Sequence, residues 1–224
     1  MSTSAETADG ATPEVLVKSR QRVADHGEVF TPSWLVDDML DLVKEESERI
    51  DSRFLEPACG SGNFLIPVLR RKLATVEQRF GSSEFERHHH GLLGLMCIYG
   101  IELLADNAAE CRGNLLDVME AFFGSAAGPE WMAAARAVVG VNIVQGNALD
   151  MTTSTGDHIT FPEWGYLGKG KFQRRDFQFG VLAKRAEYTG GHESQMSIFE
   201  AMEEHDVFTP STTFPPMTVK EIGQ

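Results

Sequence analysis

The chain has 224 residues, 42% of them hydrophobic, and carries 20 Lys and Arg against 33 Asp and Glu, a formal net charge of -13. This is a globular composition, not a disordered one, and the length suffices for one sizeable core. So negative a chain is disfavoured as an unaided binder of duplex nucleic acid, because phosphate contacts need local Lys and Arg.

Residues 1–18 are small and polar and are expected to be disordered. Gly27-Glu-Val-Phe-Thr-Pro32 follows, and Ser33 is placed to cap a helix running through Glu48, with Leu35, Met39, Leu42 and Val43 as its apolar stripe. The first strand is expected at about 52–56. It runs into Glu56-Pro-Ala-Cys-Gly-Ser-Gly-Asn-Phe64, a tight glycine turn that opens a helix to about residue 79. Gly60 and Gly62 allow backbone angles and close approaches that a Cβ would obstruct. Ser61 or Asn63 can cap the helix. Such a loop, at the carboxyl end of a strand in an α/β sheet, is a place where small molecules bind.

Ser82 to Leu93 suggests a short helix. Its neighbours His88, His89 and His90 point in different directions, so they do not converge on one metal and are read as surface or partly buried imidazoles. A second strand is expected at about 95–101, a long helix at 103–123, a helix from Pro129 through Val138, and a third strand at 141–145. Met151 to Asp157 reads as a polar loop, and Ile159 to Leu167 as a strand or an ordered loop. Phe177 to Leu182 reads as a fourth strand, Tyr188 to Gly191 as a turn, and Glu193 to Glu204 as a short helix. The tail around Pro210, Pro215 and Pro216 breaks regular structure. The fold class predicted is α/β: a three-layer (Rossmann-like) sheet, open to being incomplete at its C-terminal side.

Four segments, in order, resemble the S-adenosylmethionine-dependent DNA adenine methyltransferases, in particular the modification subunits of restriction systems. Glu56 to Phe64 looks like that family's cofactor loop almost letter for letter. Gly27 to Pro32 looks like its N-terminal cofactor motif, Gly100-Ile-Glu102 like its second strand ending in an acid, and Gln145-Gly-Asn-Ala-Leu-Asp150 like its third. The resemblance implies S-adenosylmethionine as cofactor, with contacts at Phe30, Thr31, Glu56, Ala58, Gly60, Gly62, Asn63, Phe64, Glu102, Asn147 and Asp150. In this scheme Thr31 holds the cofactor carboxylate, and Glu56 faces the positive ammonium or sulfonium or else serves as a turn carboxylate. Glu102 accepts from both ribose hydroxyls. Asn147, with Asp150 as the alternative, meets the adenine edge, and Phe30 or Phe64 packs on the cofactor. The implied methyltransferase-like domain runs from 19 to 190, with residues 191–224 as a C-terminal extension.

The family's catalytic tetrapeptide, Asn or Asp followed by Pro-Pro and an aromatic residue, is missing where it should follow the fourth strand. Ala183-Lys-Arg-Ala186 stands there instead. The one Pro-Pro, Pro215-Pro216, is flanked by Phe214 and Met217. No catalytic residue and no metal ligand is assigned. The leading reading is a DNA (adenine-N6) methyltransferase-type protein, either diverged at the catalytic loop or acting as the cofactor half of a split enzyme. A partner subunit would then carry catalysis, target recognition and DNA contact. Methylation of a protein or small molecule, or an inactive regulatory homologue, are the alternatives. A nicotinamide oxidoreductase fits less well, since the loop lacks a third glycine. The basic run Lys169, Lys171, Arg174, Arg175, Lys184 and Arg185 is a DNA-facing loop, a solvated face or a contact for an acidic partner. No apolar run reaches bilayer length, and Met1 to Glu6 does not read as a secretory signal. Cys59, Cys97 and Cys111 form no disulfide framework or zinc pattern, so a cytoplasmic setting is expected.

Overall fold

The computed structural model describes residues 16–180 and 209–224. The expected loop Ala183–Ala186, the turn 188–191, the helix 193–204 and most of the N-terminal tail lie outside the described residues. Helices α1 (Arg20–His26), α2 (Ser33–Leu42) and α3 (Lys44–Glu48) precede strand β1 (Phe54–Glu56). Then come α4 (Leu65–Phe80), α5 (Glu84–Met96), β2 (Ile98–Glu102), α6 (Ala105–Phe123), α7 (Pro129–Asn142), β3 (Ile143–Asn147) and β4 (Thr152–Thr153). A long hairpin, β5 (Thr160–Gly168) and β6 (Lys171–Gln178), is followed by β7 (Thr212–Thr213), β8 (Met217–Thr218) and a closing turn of helix, α8 (Val219–Ile222).

Strands β1, β2 and β3 are parallel neighbours in that order, and β4 adds antiparallel beyond β3. One face of this sheet is buried under α4 to α7, in a core that includes Leu65, Leu69, Ile98, Leu115, Val138 and Ile143. On the other face Tyr99 and Ile101 pack with Ile159 and Phe161. This is the α/β, methyltransferase-like sheet that the resemblance implies.

The expected strand at 177–182 is not a strand of this sheet. Phe177 and Gln178 pair antiparallel with Phe161 and Thr160 in the hairpin, and the strand ends at Gln178. The reason is local. Gly168, Lys169 and Gly170 all take positive φ, so the chain reverses there and the apolar residues before the turn meet those after it. Pro162 is tolerated because β5 is an edge strand. The tail is not wholly irregular either, since β7 and β8 both pair with β6.

The expected helix 33–48 is broken at Val43 (φ -120°, ψ 36°), and Pro32, not Ser33, holds the cap position. The Ser47 hydroxyl donates across the break to the Leu40 carbonyl (3.3 Å), which also accepts the Val43 N–H (3.2 Å). The histidines also differ from expectation. His88 and His89 are buried: His88 meets Phe123 and Trp131 edge-on, and His89 stacks near Tyr166 and Phe172. Burial holds both imidazoles below their usual pKa. Among the described residues no cluster of His, Cys, Asp and Glu could hold a metal, and no helix is long and apolar enough to cross a membrane.

Candidate functional site

The parallel strands deliver Glu56, Glu102 and Asn147 to their carboxyl ends. Register pairs Glu56 with Gly100 and Glu102 with Gln145, so the three polar side chains step upward from β1 to β3. Between β1 and α4 the loop takes positive φ at Gly60 (54°) and Gly62 (101°). A Cβ on Gly60 would stand 3.0 Å from the Phe30 ring. The loop is fastened to β2 by the Cys59 N–H, which donates to the Ile101 carbonyl (3.0 Å). Gly100 lets β2 pass beneath it, since a Cβ there would meet Cys59 Sγ at 2.8 Å. Neither Ser61 nor Asn63 caps α4, because Phe64 holds the cap position. Instead Asn63 Nδ2 donates to the Thr31 carbonyl (3.3 Å), tying the N-terminal motif to the loop.

Glu102 is only 7% exposed. One carboxylate oxygen accepts the Gly60 N–H at 2.8 Å, and the other accepts the Leu104 N–H at 2.9 Å. An acid held so, beside a glycine cradle, presents fixed acceptors to a ligand hydroxyl. Glu56 accepts the Ala58 N–H (3.2 Å), the geometry of a turn carboxylate. Asn147 and Asp150 are bonded to each other: Asn147 Nδ2 donates to Asp150 Oδ2 (2.6 Å), while Asn147 Oδ1 accepts the Leu149 N–H (2.9 Å). The two residues thus form one polar group at the end of β3.

The structure gathers Phe30, Thr31, Gly60, Asn63 and Glu102 around the loop. Phe64 turns instead toward the core. Thr31 and Asn63 also line an open cleft of about 420 Å³ that reaches Arg70 and Arg71. Beneath the loop the Cys59 thiol is pushed up, first by its hydrogen bond with Cys111 and then by burial, so it is not a ready nucleophile.

The basic run divides. Arg174 forks onto Asp176 (2.7 and 2.8 Å) and lies over the Trp164 and Phe214 rings. Arg175 pairs with Glu163, which also receives Arg53. Lys184 and Arg185 lie outside the described residues.

Sequence reasoning missed a polar network on the other side of Glu102. Asn107, 1% exposed, donates through Nδ2 to Glu28 (2.6 Å) and to Glu102 (3.5 Å), while its Oδ1 accepts from Lys18 (2.7 Å) and Arg22 (3.1 Å). Arg22 forks onto Glu28 and reaches Asp106 as well, and holds both carboxyls below the usual range. The available signal was the Asp-Asn pair one turn into the helix after Glu102, opposite a Lys and an Arg that precede the Phe30 motif.

Residues 14–116 match the family model described as N-6 DNA methylase, just under half of the chain. The matched stretch takes in the Phe30 segment, the glycine loop and Glu102, and stops before Asn147. No curated protein and no solved structure matches the chain. With the parallel strands, the glycine loop and the strand-end acid in place, the conclusion is that over residues 14–116 this chain is similar to the N-6 DNA methylases.

Proposed function

We propose that the chain binds S-adenosylmethionine and serves as the cofactor half of a DNA adenine-N6 methyltransferase, completed by a second protein that holds the target base. One observation carries this reading: the parallel sheet stops at β1. Strand β1 has β2 on one side and, among the described residues, no strand on the other. Leu55, in its middle, is 42% exposed. The start of the chain's own candidate for the next strand, Phe177 and Gln178, is paired in the hairpin and not beside β1. Pro215-Pro216 lies along the hairpin too, with the Phe214 N–H bonded to the Arg174 carbonyl (3.0 Å).

The residues present fit the cofactor. The positive-φ cradle admits the methionine end closely, and Thr31 and Glu56 flank it. Glu102 accepts from the ribose hydroxyls, and the Asn147–Asp150 group meets the adenine edge. Phe30 closes the side. When bound, the cofactor supplies an electrophilic methyl group on a sulfonium. This chain binds, orients and shields it. The acceptors that draw the proton from an adenine amine, and the aromatic ring that stacks on an extruded base, come from the partner. The chain's charge of -13 and the pairing of Arg174 and Arg175 assign DNA contact to that partner as well. The cofactor domain on this reading spans 19–190, and the protein works in the cytoplasm, in keeping with three unpaired buried cysteines.

Two measurements test it. Calorimetric titration with S-adenosylmethionine and its demethylated product is expected to give saturable heat and thermal stabilisation; neither appearing would overturn cofactor binding. Radiolabelled methyl transfer to DNA is expected only when the product of the neighbouring gene is added. Site-specific adenine methylation by the purified chain alone would overturn the split-enzyme reading.

A further inference from the structure

The segment 16–31 lies across the mouth of the cofactor site, and its attachment is unusual. Its far end is the Phe30 ring against Gly60 and the Thr31 carbonyl against Asn63. Its near end folds back on itself, the Phe30 N–H donating to the Leu16 carbonyl (2.8 Å). Between them α1 has no buried residue. At 7 residues it is shorter than a helix that stands alone in water. Ser19 caps it and Gly27 ends it in the left-handed region, but neither feature fixes it to the body of the protein. That task falls to polar contacts with the start of α6: Lys18 to Glu110 and Asn107, and Arg22 to Asp106 and Asn107. Asn107 in turn reaches Glu102.

Resting on the reading that Glu102 holds the cofactor ribose, we propose that residues 16–31 are a strap whose closure is coupled to cofactor binding, with Arg22 and Asn107 as positioning residues for the Glu102 carboxylate. Asn107 is suited to this because its amide is used from both sides. The oxygen takes the two cations of the strap, and the nitrogen serves Glu28 and Glu102. Closing the strap therefore fixes the amide, and the fixed amide turns a donor toward the ribose acid. Coupling of this kind is reciprocal: a ligand that engages Glu102 holds the strap shut, and a shut strap tightens the ligand. Arg22 is not replaceable by another cation, since its planar fork meets Glu28 with two nitrogens while a third meets Asp106. Most of the partners are solvated (Asp106 and Glu110 are 57% and 45% exposed), so salt screens the closure.

The test uses the full chain, S-adenosylmethionine as probe, and Arg22→Gln and Arg22→Lys variants. Calorimetric affinity is measured at about 0.1 M and about 1 M sodium chloride, across which the Debye length falls from about 10 Å to about 3 Å. Wild type is expected to weaken with salt. Arg22→Gln is expected to bind about fivefold more weakly at low salt and to lose most of the salt dependence, with Arg22→Lys between them. Melting temperature without ligand should fall no further in Arg22→Gln than in Arg22→Lys, because α1 has no fully buried residue, and this separates positioning from a structural role. In parallel, trypsin cleavage after Lys18 and Arg20 should be slowed by S-adenosylmethionine in wild type and not in Arg22→Gln. Equal affinity and equal salt dependence in wild type and Arg22→Gln would overturn the coupling and leave cofactor binding standing. Absence of binding in every variant at every salt concentration would overturn both, and the wild-type titration tells the two failures apart.

Discussion

The two ends of the parallel sheet are held by different kinds of contact. At the carboxyl end the chain is glycine-rich, Glu102 accepts from the Gly60 N–H and from Asn107, and Asn107 is tied by hydrogen bonds to a strap with no buried residue in its helix. At the amino end the hairpin runs past the strand starts and locks them. Tyr99 donates to the Pro162 carbonyl (2.8 Å), and Trp164 Nε1 donates to Asn142 Oδ1 (3.1 Å). Asn142 itself donates to the Met96 and Ile98 carbonyls. Above this sit His88, His89, Phe172, Trp131 and Tyr166, in ring contact. The lesson is one of division: ring packing and buried hydrogen bonds fix the amino end, and solvated, salt-sensitive contacts shape the end proposed to admit the cofactor.

The sharpest way to break that contrast is at Phe172, which is fully buried. Phe172→Ala should cost about 3–5 kcal/mol of stability in urea unfolding, with cofactor affinity of the folded protein unchanged. A stable variant that no longer binds would erase the distinction. Next in size is Glu102→Ala, expected to weaken cofactor binding by about 1–3 kcal/mol by calorimetry, and to lower the urea midpoint as well because the Gly60 and Leu104 N–H groups lose their acceptor. If stability alone fell and affinity held, the acid would belong to the framework.

A smaller effect separates the ends by pH. His88 and His89 have folded pKa values below their unfolded ones, so unfolding takes up protons as the pH falls below about 6.5. Stability contributed by the neutral rings is therefore full above that value and declines on acidification toward the lowered folded pKa. Urea midpoints should drop between about pH 7.5 and about pH 5.5, above the range where the Arg22-paired carboxyls Glu28 and Asp106 titrate. Replacing both histidines with phenylalanine should flatten the profile; an unchanged slope would show that these rings do not carry it. The smallest effect is expected at Arg53, more than half exposed in its pair with Glu163. Arg53→Ala should cost under about 1 kcal/mol, and a larger loss would mean that ion pairs help to lock the amino end.

The sequence made one end of the sheet far more legible than the other. The glycine turn, the strand-end acid and the order of β1, β2 and β3 are local patterns, and they stand in the structure within a few residues of where periodicity places them. Whether the cofactor contacts follow is for the titrations. The hairpin was misread because Phe177 to Leu182 is apolar enough for a central strand, while its true partner was set by a turn with three positive φ values in succession. The burial of His88 and His89 was hidden for a related reason: their neighbours come from the hairpin and from α7, distant in sequence. Lys72 shows the same limit. It lies on the apolar stripe of α4 with Leu65, Val68, Leu69 and Leu73 and is fully buried, its ammonium held by the Arg49, Ile50 and Ser52 carbonyls and its pKa brought down to about 8 by burial. Long-range partners decide such positions, and a helical wheel does not contain them.

Strand β1 has a consequence for how the protein behaves in quantity. A strand with one unpaired edge is a template for any extended segment that arrives. Among the described residues the outer edge of β1 is open and carries an exposed Leu55 beside the glycine loop, and no Pro or Lys stands within β1 to deter the approach. Two copies meeting edge to edge would hide the leucine and block the face where a partner should sit. On the proposed split-enzyme reading, supply of this chain in excess of its partner becomes a hazard of its own, and balanced synthesis of the two proteins is the simplest protection against it.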